Sequence, residues 1–280
     1  MGADMKADYG STPSVDRLII RCGWLALFLL VLTPDASALQ SGPFAGNLLS
    51  TPQQQQQPQE EEEEIKPSRP GVANPAEIPK PGVLQLEFGY DSNFRAEDVR
   101  DGHSTPLTLR FSAAKRLLLE VNFDGFKSET DELTRARSTG VGDTRVGFQF
   151  VALEDNEQHP ALAFAYYAKI PTADENKGLG TGRFDHKFVG LLSKKLGETD
   201  LDFNVAYLLV GKEGEPGREH GGQGALSISR DFKNNFGFEA ELSGQSHDDI
   251  QPRGVFALGA LRYNASRRLS FDAGARFGLN

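Results

Sequence analysis

Leu269-Ser270-Phe271-Asp272-Ala273-Gly274-Ala275-Arg276-Phe277-Gly278-Leu279-Asn280 decides the fold. Leu269, Phe271, Ala273, Ala275, Phe277 and Leu279 share one parity; Ser270, Asp272, Gly274, Arg276, Gly278 and Asn280 share the other. A helix would spread Asp272 and Arg276 among the apolar groups. An extended strand sends successive side chains to opposite faces, so all the charge goes to one side.

The same period of two runs back through the chain. Leu84, Leu86, Phe88 and Tyr90 alternate with Gln85, Glu87 and Gly89. Leu117, Leu119, Val121 and Phe123 alternate with Leu118, Glu120 and Asn122, and Thr144, Val146, Phe148 and Phe150 with Asp143, Arg145, Gly147 and Gln149. Strands are expected over 83–92, 104–112, 115–124, 141–153, 160–170, 183–194, 199–210, 222–232, 235–243, 253–264 and 267–279. Many reach the ~9–11 residues that a tilted strand needs to cross a bilayer, against about 5–6 in soluble sheets. Long connections at 93–103, 125–139, 171–182, 211–221 and 244–252 alternate with short ones such as Ala113-Ala114 and Lys233-Asn234. That asymmetry belongs to an outer-membrane barrel. The expected fold class is therefore all-β, an antiparallel transmembrane (outer-membrane) β-barrel with a disordered N-terminal tail. Eleven strands is an odd number, whereas an even one returns both termini to the same side. Either a strand is split or missed in this reading, or the chain lacks its last one.

Composition supports the same class. The 280 residues carry 39 acidic and 30 basic side chains, for a net charge of -9, which argues against a protein that wraps nucleic acid with a basic surface. Only 38% of residues are hydrophobic. A bundle of transmembrane helices, each about 20 apolar residues long, is excluded, whereas barrel strands alternate lipid-facing with polar positions.

Two further segments precede the strands. Residues 1–38 read as a cleaved export signal: Arg17 and Arg21, the apolar run Cys22 to Leu32, then Ala36-Ser37-Ala38, with cleavage expected after Ala38. Either Met1 or Met5 serves as the start. Cleavage discards Cys22, the one cysteine, so neither disulfides nor thiol chemistry are expected in the mature chain. Residues 39–81 hold many of the 15 prolines and the runs Gln53 to Gln57 and Glu60 to Glu64. Such composition buries too little apolar surface to offset its ordering entropy, and is read as a disordered periplasmic spacer. The barrel is assigned to 82–280.

Gly140-Val141-Gly142-Asp143-Thr144-Arg145-Val146-Gly147, Tyr166-Tyr167-Ala168-Lys169-Ile170-Pro171-Thr172, the glycine-rich Gly178 to Gly182 and Ser193-Lys194-Lys195-Leu196 resemble, as a set, the barrel family labelled "putative MetA-pathway of phenol degradation". The resemblance covers roughly 83–280. It implies an outer-membrane, transporter-like protein, linked by label to aromatic catabolism. It also implies about 12 strands, the last ending in the aromatic residue read by the barrel-assembly machinery, whereas this sequence stops at Gly278-Leu279-Asn280.

With apolar faces toward lipid, the lumen is expected to receive Glu87, Arg110, Glu120, Asp143, Arg145, Lys169, Asp185, Lys187, Asp202, Glu239, Glu241, Arg262, Asp272 and Arg276. These side chains either line a charged pore or pair with one another and plug it. Asp143, Arg145 and Lys169 are the leading candidates for one network. His103, His159, His186, His220 and His247 lack the paired spacing of a zinc site. Ser246-His247-Asp248-Asp249 reads as a polar loop, since triad members meet from distant positions. Gly178 to Gly182 precedes a strand rather than the helix a phosphate cradle needs, and reads as a flexible loop tip. No catalytic residue, cofactor or metal site is assigned.

The functional expectation is a passive channel in the outer membrane of a Gram-negative bacterium, for small solutes, aromatic ones included. Its partners would be outer-membrane lipids and the assembly machinery. Two other readings stay open: a barrel that presents its loops and transports nothing, and an exported soluble β-sandwich whose apolar faces meet in a core.

Overall fold

A computed structural model describes residues 67–96, 99–212, 216–246 and 253–279. The signal, its cleavage site, the spacer up to residue 66, His247, Asp248, Asp249 and Asn280 lie outside the described residues.

The strands are β1 (Leu84–Phe88), β2 (Asp91–Ala96), β3 (Val99–Ser104), β4 (Leu107–Ala114), β5 (Leu117–Phe123), β6 (Phe126–Asp131), β7 (Arg137–Val141) and β8 (Thr144–Leu153). They continue as β9 (Ala161–Ile170), β10 (Asp185–Leu196), β11 (Thr199–Gly211), β12 (Arg218–Asp231), β13 (Phe236–Gln245), β14 (Gly254–Ser266) and β15 (Leu269–Gly278). Among the described residues the only helical turn is Glu175–Lys177.

Eleven strands form one antiparallel sheet in the order β1-β4-β5-β8-β9-β10-β11-β12-β13-β14-β15. Each overlaps one of the stretches expected to be a strand. The other four make a second sheet, β2-β3-β6-β7. Two connections expected to be loops, 93–103 and 125–139, are therefore hairpins, β2–β3 and β6–β7. Asp91-Ser92-Asn93-Phe94 and Phe126-Lys127-Ser128-Glu129 lack an apolar face, so periodicity could not reveal them.

This second sheet continues the first four main-sheet strands across a bend. Hydrogen bonds cross the bend from Gly89 N to the Pro106 carbonyl at 3.0 Å, Thr105 N to Phe126 O at 3.1 Å and Gly142 N to Gly125 O at 2.8 Å. Pro106 lacks a donor and interrupts its ladder. Gly125 has φ +72, and a Cβ there would lie 1.8 Å from the Thr105 carbonyl oxygen. Only glycine fits that corner.

The main sheet is inverted relative to a water-soluble one. Its convex positions expose Phe111, Phe148, Phe164, Phe188, Phe203, Leu226, Leu242 and Leu261, while its concave positions bury Gln85, Glu87, Arg110, Gln149, Lys169, Glu241 and Arg276. Half-exposed large apolar side chains forfeit about 1 kcal/mol each in water. Summed over the face, that is comparable to the whole stability of a domain, ~5–15 kcal/mol. Most turns at one end are short (115–116, 197–198, 232–235, 267–268), with the seven-residue 154–160 as the exception, and the connections at the other end are longer (171–184, 212–217, 246–253).

The sheet curls but is open along one seam, since β1 and β15 pair only with β4 and β14. Residues 68–70 lie across the seam: Ser68 bonds to Glu87 of β1, and the Pro70 ring sits 3.1 Å from where a Cβ on Gly274 of β15 would be.

Candidate functional site: the lumen and its strap

The concave face is not empty. Residues 67–81, read from composition as the end of a spacer, run through it as an extended strap. Five prolines (67, 70, 75, 79 and 81) keep the strap extended and remove backbone donors that would otherwise need partners. The remaining main-chain groups are met by wall side chains. Val72 N and Ala73 N donate to Glu241 Oε2 at 2.5 and 2.7 Å, and Ala76 N donates to Ser193 Oγ at 2.7 Å. Asn204 Nδ2 donates to the Asn74 carbonyl (3.1 Å), Gln149 Nε2 to those of Pro75 and Ala76 (both 3.0 Å), and Ser112 Oγ to that of Pro79 (2.9 Å). The strap thus touches β4, β8, β10, β11 and β13. At Gly71, a Cβ would fall 2.4 Å from Glu239 Oε1 and 2.7 Å from Glu241 Oε2, so any larger residue would have to push the ends of these carboxylates aside.

The strap is the shared wall of two cavities. One, of about 300 Å³, opens toward the long-connection end and is lined by Arg69, Asp91, His103, Phe123, Arg145 and Tyr167, among others. The other, of about 100 Å³, lies toward the short turns beside Glu77, Asp202, Glu239 and Arg262.

Around the strap the charged side chains are mostly arranged as a cation between carboxylates from neighbouring strands. Arg110 of β4 lies 3.6 Å from Glu87 of β1 and 3.3 Å from Glu120 of β5. Lys169 of β9 lies 3.5 Å from Asp143 and pairs with Asp185 of β10. Arg262 of β14 reaches Glu239 at 3.5 Å and Asp231 at 4.0 Å, with Asp272 of β15 opposite it in register. Arg145 bonds Asp124 at 2.5 Å, Lys187 donates to Gln223 at 2.6 Å, and Asp202 accepts from Ser193 at 2.5 Å. Arg276 donates to Ser243 at 2.9 Å and stacks 4.4 Å over the Phe256 ring. Buried charges at this density require such partners, because an isolated one would cost several kcal/mol.

Asp143, Arg145 and Lys169 do not form a single network. Asp143 and Lys169 meet, but Arg145, although opposite Lys169 in register, turns to Asp124. What Asp143 and Lys169 do together is fasten the β9–β10 connection. Asp143 Oδ1 accepts from Thr172 N (3.0 Å) and Ala173 N (2.9 Å), and Lys169 Nζ donates to Thr181 Oγ1 at 3.0 Å. Lys127 Nζ donates to the Leu179 carbonyl at 3.3 Å, and the Leu179 side chain is buried. Gly178 to Gly182 is thus folded down onto the rim instead of projecting as a loop tip.

Three sequence motifs, 140–147, 166–172 and 178–182, therefore meet at one point of the rim. Residues 68–280 match the family described as "Putative MetA-pathway of phenol degradation". The chain belongs to that family. No curated protein matches it. The family match begins at residue 68, with the strap, which is thus part of the family unit together with the strands.

The uncharged wall residues Ser112, Gln149, Ser193 and Asn204 were not singled out by the sequence reading, although each bonds the strap. The signal was present: each occupies the polar phase of the same alternation that marks the charged residues.

Proposed function

We propose that this member of the family is an outer-membrane conduit for small polar solutes, held shut by its own residues 67–81. The observation that carries the reading is an apolar-out, polar-in sheet with a strap dividing its interior into two cavities. The height of the apolar face supports membrane insertion. On β12 the outward positions from His220 to Arg230 hold only Gly222, Gly224, Leu226 and Ile228 between them. Ten residues at about 3.3 Å each, tilted by about 40°, rise roughly 25 Å, the height of the apolar band of such barrels. The export signal and periplasmic spacer expected from the sequence fit this reading.

Solutes would reach the larger cavity from the long-connection end and pass when the strap yields. Its lining of paired charges favours hydrophilic solutes, and Phe123 and Tyr167 offer contact to a phenolic ring, in keeping with the family's description. No covalent step is involved.

Planar-bilayer recording tests the reading. The full chain is expected to be closed most of the time, and Gln149→Ala, Asn204→Ala and Glu241→Ala combined should raise its open time several-fold. Equal conductance in both would remove the strap as the seal. Silence of the inserted variant would favour the barrel that transports nothing.

A further inference from the structure

The outward face of β9–β12 carries an ordered set of rows near the long-connection end. The first is aromatic: Phe148, Tyr166, Phe188 and Tyr207 are direct cross-strand neighbours through β8, β9, β10 and β11. One step along the strands lies a second row, Ala168, His186, Leu209 and His220. The two imidazoles flank Leu209, two strand spacings apart, or about 9–10 Å between Cα atoms.

Each imidazole is held by a tyrosine in the row beneath it, in the same diagonal register. Tyr166 Oη is hydrogen-bonded to His186 Nδ1 at 2.8 Å, with ring centroids 6.1 Å apart and planes 21° from parallel. Tyr207 Oη is hydrogen-bonded to His220 Nδ1, with centroids 5.8 Å apart. Occupying Nδ1 leaves Nε2 as the ring nitrogen available to a partner. Above the imidazoles, Arg218 lies opposite Gly211, and its Nη1 donates to the Phe184 carbonyl at 2.8 Å, which lays the guanidinium over the end of β11. Outward positions of β9–β12 hold no carboxylate; Glu219 and Asp185 have inward parity.

From the band upward the surface therefore passes from aromatic to imidazole to guanidinium. A lipid leaflet presents the matching order, with acyl chains, then the glycerol region, then anionic phosphate. We propose that His186, His220 and Arg218 bind the phosphate of an anionic lipid headgroup at the long-connection end, with Tyr166 and Tyr207 as positioning residues for the two imidazoles. The proposal rests on the membrane reading above, and its test separates the two.

The full chain, refolded into phosphatidylglycerol bilayers and extracted into nonionic detergent, is examined by native mass spectrometry for retained lipid, after a gel shift on boiling has shown insertion. Retained phosphatidylglycerol should exceed phosphatidylcholine. His186→Ala with His220→Ala removes two hydrogen bonds to a charged group and should lower retention roughly tenfold or more. Tyr207→Phe, which keeps the imidazole but not its anchor, should lower it less. If the double variant does not insert, Tyr207→Phe and Arg218→Gln carry the comparison. Equal retention by the variants, or equal retention of phosphatidylcholine, overturns the proposal. Displacement of lipid by inorganic phosphate would mean a free-phosphate site instead. A wild-type chain that shows no gel shift overturns the membrane reading and the proposal with it.

Discussion

Arg110 shows how the interior depends on single charges. It is buried between Glu87 and Glu120, and Glu87 is also bonded by Ser68 of the strap and by Gln85. Replacing it with methionine leaves two carboxylates facing each other out of water. Arg110→Met is expected to cost about 3–5 kcal/mol in urea unfolding of the micelle-bound protein. Adding Glu87→Gln and Glu120→Gln should recover most of that loss, since what destabilises is the unpaired charge. At this scale the sequence was informative about phase and silent about partners. Parity separates Arg145 and Lys169 from their apolar neighbours, but nothing in spacing tells that Arg145 selects Asp124, which sits across the bend at Gly125. Selecting only charged residues also passed over Gln149 and Asn204, whose amides reach the strap.

Among the elements, those with an apolar face were legible and those without were not. β15 alternates over its whole length and was expected to within two residues, whereas β2, β3, β6 and β7 are polar on both faces and read as loops. The β6–β7 hairpin is held by its turn chemistry instead. Asp131 accepts from Thr134 N at 2.6 Å, Thr134 Oγ1 at 2.8 Å and Leu133 N at 3.0 Å, and Arg135 closes the turn at φ +61. The Thr134 amide and hydroxyl, then the Leu133 amide, hold the Asp131 carboxyl below the ordinary carboxylate range. A depressed folded value means that the carboxylate's contribution to the hairpin is complete above the unfolded value of about 3.9 and is lost as pH falls through the folded one. Carboxyl-carbon NMR titration should therefore place the Asp131 midpoint below that of a free aspartate, and Thr134→Val should move it upward.

For the molecule as a whole, the eleven expected stretches contained the sheet and much of its sidedness, because the outward and strap-facing surfaces differ in chemistry on alternate residues. The strap was hidden, since a proline-rich segment has no periodicity and its partners are spread over strands from β1 to β15. It also supplies contacts across the open seam between β1 and β15, through Ser68 and Pro70. In lipid, an unbridged seam would leave backbone groups unsatisfied at several kcal/mol each. The full chain is expected to migrate faster on a gel before boiling than after, and deletion of residues 67–81 should lower the temperature at which that shift occurs.

The wall grips the strap mainly by its peptide groups: Glu241, Ser193, Gln149, Asn204 and Ser112 all bond main-chain atoms. What the lumen recognises is thus a posture, not an identity. Apart from the prolines and the buried Ala73 and Ala76, the strap can drift through many sequences and still fit, whereas each change in the wall alters the lock for every strap that enters it.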